Sequence, residues 1–171
     1  DDSSMSYRYG TACGTASSNA GPHAVCGIYG EFFNSQFSYD NNGSQVSATG
    51  DGARTISYSV FDKPTNISTS AGHITTFAYD PSRTRYKRID TKDGDTTTTL
   101  YIGNVEKVTH SSGRKEWKRT IANGVGVITQ QVTGTSTIAS ETHNYFLKDH
   151  LGSVNLVTDS FGDVIAEMDY D

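Results

Sequence analysis

The sequence predicts an all-β fold built from consecutive antiparallel β-hairpins. Thr, Ser, Tyr and Val dominate over Leu, Ala, Glu and Lys, and this composition favours strands over helices. Short runs of strand-forming residues alternate with Gly, Asn and Asp turn signals along most of the chain. No run of about ten residues shows helical periodicity. We therefore expect the 171 residues to form one β domain.

The first 34 residues are the least regular part of the chain. Tyr7-Arg-Tyr9 is compatible with a strand, whereas 10–21 is small and polar, which is typical of a loop. Pro22 fixes its own φ and biases Gly21 toward extended backbone, so a corner leads into a strand near Val25. We therefore predict an irregular N-terminal segment over 1–34.

From residue 35 onward, strands and tight turns alternate regularly. Asn41-Asn42-Gly43 predicts a type I′ hairpin turn, and Gly50-Asp-Gly52 predicts a second tight turn. Further turns are predicted at 62–65, 71–72, 81–83 and 93–95, with strands at 36–40, 45–49, 54–61, 66–69, 73–80, 84–89 and 96–102.

Four tyrosines mark a repeat within this region. Tyr39, Tyr58, Tyr79 and Tyr101 stand 19, 21 and 22 residues apart. An apolar residue lies two positions before each of the first three tyrosines: Phe37, Ile56 and Phe77. An acidic residue follows each of these tyrosines: Asp40, Asp62 and Asp80. The acid of the second repeat is displaced, so its turn departs from the pattern. A period near 20 with one hairpin per repeat indicates a repeat architecture over 35–110.

The rest of the chain continues in hairpins. Turn signals at 111–113, 123–124 and 134–136 divide the segment 111–142. The final segment, 143–171, is predicted to be a strand, a break and a hairpin. Val154 and Leu156 point to one face, Asn155 and Val157 to the other, and Gly162 is free to take a positive φ in the last turn.

The order of these motifs resembles that of RHS/YD-repeat proteins. The motifs are Phe37-x-Tyr-Asp-x-x-Gly43, Phe77-x-Tyr-Asp-x-x-Arg83, Tyr101-Ile-Gly-Asn-Val-Glu106, Asp149-His-Leu-Gly-Ser-Val154 and Tyr170-Asp171. The resemblance covers roughly 21–110 and 143–171, and the final block is its most specific part.

This resemblance implies a fold and an origin. It implies a curved or spiralling sheet of YD repeats that forms an arc of an RHS shell, from the C-terminal part of the RHS core. Such cores occur in RHS-type toxins and insecticidal toxin-complex subunits. The chain would be a single domain, 1–171, and a fragment of a larger protein. Its parts would be the N-terminal segment 1–34, YD repeats 35–110, hairpins 111–142 and the core terminal block 143–171.

The resemblance also implies a function. We expect a structural, encapsulating module of a secreted bacterial polymorphic toxin, forming part of the shell around a C-terminal toxin. Its partners would be the remainder of its own shell and the enclosed toxin. The protein would be secreted or would lie on the bacterial cell surface. The alternative is a cell-surface adhesion or carbohydrate-binding YD-repeat module. Exposed sheet edges further predict self-association, unless 1–34 folds back as a cap.

Charge and hydropathy restrict the partners. The net charge of −5 and the pI of about 5.4 argue against a nucleic-acid partner, which attracts a basic stripe. No apolar run approaches the roughly 18 residues of a membrane span. The one basic cluster singled out, Arg114-Lys-Glu-Trp-Lys-Arg119, is interpreted as a solvated strand face with Trp117 packed opposite.

The two cysteines leave two interpretations open. Cys13 and Cys26 can form one bridge, or they can remain free thiols, which is the interpretation that we prefer. A zinc site is not expected, because only His23 is nearby as a further ligand.

No catalytic, cofactor-binding or metal site is predicted, and the chain is not expected to be an enzyme. Asp149-His150 suggests a carboxylate that orients an imidazole, but no nucleophile motif accompanies it, so a turn aspartate is preferred. Asp93-Gly-Asp95 is interpreted as a hairpin turn rather than a calcium loop. The glutamates considered as a glycosidase pair are scattered, at Glu106, Glu116, Glu141 and Glu167. The recurring aromatics are interpreted as cross-strand packing rather than a sugar-binding surface.

Overall fold

The fold is known from a computed structural model that describes residues 5–10, 19–121 and 124–168. These ranges contain β-strands and no α-helix. The strands are β1 Ser6–Tyr9, β2 Val25–Tyr29, β3 Asn34–Tyr39, β4 Gln45–Gly50, β5 Arg54–Tyr58, β6 Pro64–Thr69, β7 Ile74–Tyr79, β8 Arg85–Lys92, β9 Asp95–Ile102, β10 Val105–His110, β11 Lys115–Thr120, β12 Gly126–Thr133, β13 Thr137–Lys148, β14 Val154–Thr158 and β15 Val164–Glu167. They form one sheet in which each strand neighbours the next in chain order, so the predicted all-β hairpin fold is confirmed.

The chain divides into two compact units. The first comprises Asp1–Ala78 and Ile89–Gly94, and the second comprises Tyr79–Arg88 and Asp95–Asp171. In the first unit, β3 and β4 are antiparallel, with Phe37 opposite Ala48. Such opposite residues share a face of the sheet, and Ala48 is buried there.

The second unit has a continuous antiparallel register over β9 to β12. Lys107 on β10 lies opposite Leu100 on β9 and opposite Trp117 on β11, and Trp117 lies opposite Gln130 on β12. Because strand side chains alternate, this register decides which residues of 95–133 share a face.

Few side chains of either unit are fully buried. In the described ranges, the buried hydrophobic residues are Cys26, Ala48, Val108, Val132 and Val157, and the buried polar or charged residues are Ser35, Thr99 and Glu116. Small and β-branched side chains dominate this set, as expected where strands pack against their neighbours rather than around a large core. None of the described residues forms a helix long and apolar enough to span a membrane.

Two of the repeat tyrosines join neighbouring strands through their hydroxyls. Tyr39 donates a hydrogen bond to the Val25 carbonyl at 2.5 Å, and Tyr58 donates one to the Gln45 carbonyl at 2.9 Å. Val25 and Gln45 are the first residues of β2 and β4, so each tyrosine holds the start of the strand before its own. Burial raises the pKa of both phenols, and the charge of Arg54 opposes this rise in part. Because their pKa is raised, both hydroxyls keep their protons and remain hydrogen-bond donors.

The predicted irregular N-terminal segment contains β1 and β2, and the expected strand at Tyr7–Tyr9 is present. Several predicted features lie outside the described residues: Cys13 and most of the expected loop, Asn123 of one turn, and the final Tyr170-Asp171.

Candidate functional site

A five-residue turn closes seven of the hairpins in the described ranges. In the turn from Asp149 to Ser153, the amide of the first residue, Asp149, donates a hydrogen bond to the carbonyl of the fifth, Ser153, at 2.9 Å. The carbonyl of Asp149 accepts a hydrogen bond from the amide of the fourth residue, Gly152, at 3.1 Å. The same two backbone bonds occur in the turns 40–44, 59–63, 69–73, 80–84, 110–114 and 159–163.

An aspartate at the first turn position adds side-chain hydrogen bonds. Asp149 Oδ1 accepts from the amides of Leu151 at 2.8 Å and Ser153 at 2.9 Å. The corresponding oxygens of Asp40 and Asp159 each accept from the amides two and four residues later. The aspartate that follows the repeat tyrosine at Asp40 is therefore the acceptor that closes its hairpin, as expected for Asx-type turns.

The fourth turn residue takes the left-handed conformation. The seven residues at this position are Gly43, Asp62, Gly72, Arg83, Gly113, Gly152 and Gly162, with φ between 58° and 90°. A type I′ turn needs positive φ at two successive residues. Asn42 does not have a positive φ, and its amide donates to Asp40 Oδ1, so the predicted type I′ turn at Asn41–Gly43 is wrong. The predicted hairpin turn at Asp93-Gly94 is present, with φ of 52° and 85°.

The second repeat uses the same turn with different residues. Ser59 stands where the first and third repeats have aspartate, and its hydroxyl accepts a 3.2 Å hydrogen bond from the Lys63 amide. Asp62 occupies the left-handed position with φ of 58°, which Asp tolerates better than most residues. Asp62 is thus not a displaced counterpart of Asp40: the second repeat departs in its residues, as noted from the sequence, but its turn has the same two backbone hydrogen bonds.

The Asp149-His150 pair does not form a carboxylate–imidazole contact. β13 ends at Lys148, so both residues lie in the turn, where Asp149 Oδ1 is held by two backbone amides. His150 is exposed and has no hydrogen bond or ion pair among the described residues. The pair has the geometry of a turn aspartate followed by a solvated histidine.

Glu116 is the centre of a buried polar cluster. The residue is only 7% exposed, and its Oε1 lies 3.2 Å from both Arg114 Nη2 and Gln131 Nε2. Lys118 Nζ is 3.6 Å from Oε2. Arg114, Glu116 and Lys118 alternate with Lys115, Trp117 and Arg119 along β11, so charges occupy both faces. The predicted solvated face opposite Trp117 is therefore wrong: one face buries a carboxylate, and Trp117 shares the other with two cations.

His110 completes this cluster. Its Nε2 lies 3.1 Å from Arg114 Nη2 and 3.7 Å from Glu116 Oε1. Since arginine only donates, Nε2 is the acceptor of this contact, and Nδ1 lies 3.1 Å from Thr97 Oγ1. Burial alone raises the pKa of Glu116, but the hydrogen bond from Gln131 and the neighbouring positive charges outweigh burial and lower it. The cluster holds an ionised carboxylate inside the sheet.

A second polar group lies on the opposite face. Gln130 Nε2 donates to Glu141 Oε2 at 2.5 Å, and Glu141 Oε1 is 2.6 Å from His143 Nε2. The hydrogen bond from Gln130 is the largest cause of the lowered pKa of Glu141, followed by that from His143. Because Glu116 lies opposite Gln131 and Glu141 opposite Gln130, the two glutamates are on different faces and cannot flank one glycosidic bond.

Cys26 is disulfide-bonded, and its side chain is 1% exposed. The preferred interpretation of two free thiols is therefore wrong for Cys26. The chain contains one other cysteine, Cys13. No spacing rule in the sequence distinguishes a bridged pair from free thiols.

A single sheet of consecutive hairpins, in which an aspartate begins four of the seven five-residue turns, at Asp40, Asp80, Asp149 and Asp159, has the architecture of a β-repeat module. No protein-family model matches the chain, and no curated protein is similar to it in sequence. Solved structures with a similar fold include chains of Tc toxins.

The Photorhabdus luminescens Tc holotoxin pore with a TccC3 mutation is 14% identical, with a TM-score of 0.65, covering 98% of this chain and 9% of that chain. TcdB2–TccC3 without its hypervariable C-terminal region is 13% identical, with a TM-score of 0.58 and the same coverage. The TcdB2–TccC3–TEV structure is 13% identical, with a TM-score of 0.60, covering 98% of this chain and 10% of that chain.

This chain therefore spans about a tenth of the length of each of these toxin chains. They are RHS-repeat-containing toxin-complex subunits, so the predicted resemblance to RHS/YD-repeat proteins is confirmed at the level of the fold.

Proposed function

We propose that the chain is an encapsulating structural module of a secreted bacterial toxin, in which it forms part of the shell around a C-terminal toxin. The observation that carries the proposal is the shared fold with TcdB2–TccC3 chains over 98% of this chain. A sheet of repeated hairpins with few fully buried side chains suits a wall rather than a compact globular body.

A second observation supports an enclosed toxin. One of the similar structures was solved without the hypervariable C-terminal region of TccC3. A constant β-repeat part next to a variable C-terminal part is the arrangement expected if the repeats hold different toxins. The partners of this chain are then the remainder of its own shell and the enclosed segment.

The proposal includes no catalytic role for the chain itself. Asp149 Oδ1 is used by two turn amides, and Glu116 by Arg114 and Gln131. Both carboxylates thus serve the sheet and its turns. A catalytic group also needs a substrate-facing partner at hydrogen-bond distance.

Secretion is supported by the state of Cys26. Its thiol is disulfide-bonded, and such bonds persist mainly in oxidising surroundings such as the periplasm or the cell exterior. We therefore place the module outside the cytoplasm, in a secreted toxin or at the bacterial surface.

Electron cryomicroscopy of the native protein that carries this chain tests the proposal. We expect a hollow particle, with this sheet in its wall and density inside. Trypsin should leave the enclosed segment intact until mild denaturant opens the shell, whereas the same segment expressed alone should be digested at once. A particle without a cavity, or an inner segment that trypsin removes from the native protein, would contradict the proposal.

A further inference from the structure

One face of the second unit carries a group of cations around the only tryptophan. Trp117 on β11 lies opposite Lys107 on β10 and opposite Gln130 on β12. Lys115 and Arg119 are two residues before and after Trp117 on the same strand, so they share its face. We call these five residues the Trp117 patch. Directly opposite residues in a sheet have Cβ atoms about 5 Å apart, so the patch is contiguous.

The polar groups of the Trp117 patch are largely without partners. Lys107 and Arg119 are exposed, and neither side chain makes a hydrogen bond with any described residue. The indole N–H of the half-buried Trp117 also has no acceptor in the described ranges. Lys115 is engaged through a 3.0 Å hydrogen bond from Nζ to the Gly134 carbonyl, and Gln130 through its hydrogen bond to Glu141. The patch thus offers two cations that make no hydrogen bond, and a free N–H, beside an aromatic ring.

β13 adds two polar side chains, Glu141 and His143, at the border of the Trp117 patch. Gln130 is hydrogen-bonded to Glu141, and Glu141 is hydrogen-bonded to His143. Arg119 contributes to the lowered pKa of Glu141, after the hydrogen bonds from Gln130 and His143, so it lies within electrostatic range of this carboxylate. The border therefore contains an ionised carboxylate, an amide and an imidazole close to the aromatic ring.

We propose that the Trp117 patch binds a carboxylated saccharide, such as a polyuronate. An indole ring packs against the apolar C–H face of a pyranose, while Lys107 and Arg119 pair with carboxylates on the sugar. The amide of Gln130 and the carboxylate of Glu141 suit the sugar hydroxyls, which both donate and accept. This activity is independent of the proposed shell function.

Charge complementarity favours this ligand over other polyanions. The chain carries a net charge of −5, and Glu141 borders the patch. A densely charged phosphate backbone that extends beyond the Trp117 patch is therefore repelled by the surrounding acidic surface. An acidic peptide would satisfy Lys107 and Arg119 but presents no flat apolar face for Trp117. A uronate combines well-spaced carboxylates with a flat face and hydroxyl groups.

Fluorescence of the intact chain provides the test, because Trp117 is its only tryptophan. The chain is titrated with an oligogalacturonate, with a neutral galactan oligosaccharide of equal length and with polyglutamate. We expect saturable changes in emission with oligogalacturonate and dissociation constants at least about tenfold weaker for the other two. Equal binding of polyglutamate, or no response to oligogalacturonate at millimolar concentration, would overturn the proposal.

Substitutions then locate the site. Lys107→Ala and Arg119→Ala each retain the fluorophore and should weaken oligogalacturonate binding about tenfold, because each removes a charge-assisted contact. Lys63→Ala is the matched control: Lys63 is an exposed lysine in the turn 59–63 of the first unit, and binding should change by less than about twofold. Equal losses in Lys63→Ala and Lys107→Ala would show attraction by overall charge and would overturn the assignment to this patch.

Discussion

Asp149 Oδ1 accepts a 2.9 Å hydrogen bond from the Ser153 amide, four residues further along the chain. Asp40 stands in the same relation to Ser44, and Asp159 to Asp163. The aspartate that identifies the repeat in sequence is therefore a backbone acceptor in a turn, and its residue type is explained by hairpin closure.

Replacing this acceptor should destabilise the fold. Asp149→Ala leaves two turn amides without their acceptor and should lower the free energy of unfolding by about 1 kcal/mol. Asp149→Asn keeps an oxygen acceptor and should lower it by less. His150→Ala, in the same turn, should stay within about 0.5 kcal/mol of the unsubstituted chain. Urea denaturation measures all three, and a larger loss for His150→Ala than for Asp149→Ala would contradict this role.

The left-handed position of the turn can be tested separately from packing. Gly72 has φ of 79°, and a Cβ there would meet no atom within 4 Å. Gly72→Ala should therefore cost about 1 kcal/mol through backbone conformation alone. Gly21 has the same free space without a positive φ, so Gly21→Ala should be neutral or slightly stabilising. Thermal unfolding compares them, and equal effects would contradict the backbone explanation.

The Glu116 cluster should make stability depend on pH. The folded chain holds the Glu116 carboxyl at a lowered pKa, so the unfolded chain binds its proton more readily. The stabilisation is complete above the unfolded pKa and is lost as the pH falls through the lower, folded pKa.

Glu116→Gln removes the charge from this cluster. It should lower the free energy of unfolding at pH 7 by about 2 kcal/mol and by progressively less toward pH 3. Glu31→Gln, at an exposed glutamate, is the charge-matched control and should change little at pH 7. Denaturation curves across this range test the sign, and a Glu116→Gln deficit that grows as the pH falls would contradict it.

Reduction of the disulfide should destabilise the chain. Cys26 is disulfide-bonded, and the chain's other cysteine, Cys13, stands 13 residues before it; a bridge over such a separation contributes about 3 kcal/mol. Addition of dithiothreitol should lower the unfolding midpoint of the unsubstituted chain but not that of Cys26→Ser. Titration of two thiols in the unreduced, denatured chain would contradict the bridge.

Edge strands predict self-association of the isolated chain. β15 is the last strand of the sheet in the described ranges, and Val164 and Ile165 on it are 58% and 52% exposed. Unpaired strand edges with apolar side chains recruit further strands. Light scattering at micromolar concentration should show species larger than 18.5 kDa.

The charged variant Ile165→Lys should reduce this association. Val60→Lys places the same charge on a turn residue that is fully exposed, and it should leave the association unchanged. A monomer that persists on tenfold concentration would contradict edge pairing.

The hairpin order was predictable because its determinants are local. Gly, Asn and Asp at turns, with strand formers between them, select a hairpin without help from distant residues. The repeat of Tyr39, Tyr58 and Tyr79, and the turn position of Asp149, could be predicted for the same reason. The hairpin turn at Asp93-Gly94 was also predictable, since both residues readily accept positive φ.

Other features depend on which strands meet and in which register. The turn at Asn41-Asn42-Gly43 was predicted wrongly because an Asn-Gly pair also suits a five-residue turn, in which Gly43 has a positive φ and Asn42 does not. The sequence alone thus determined the class of fold and the positions of its hairpins. Only the tertiary structure decided that Glu116 is buried among Arg114, Gln131 and Lys118, and that Trp117 lies beside Lys107, because these contacts depend on the register between consecutive strands and a shift of one residue would exchange the two faces.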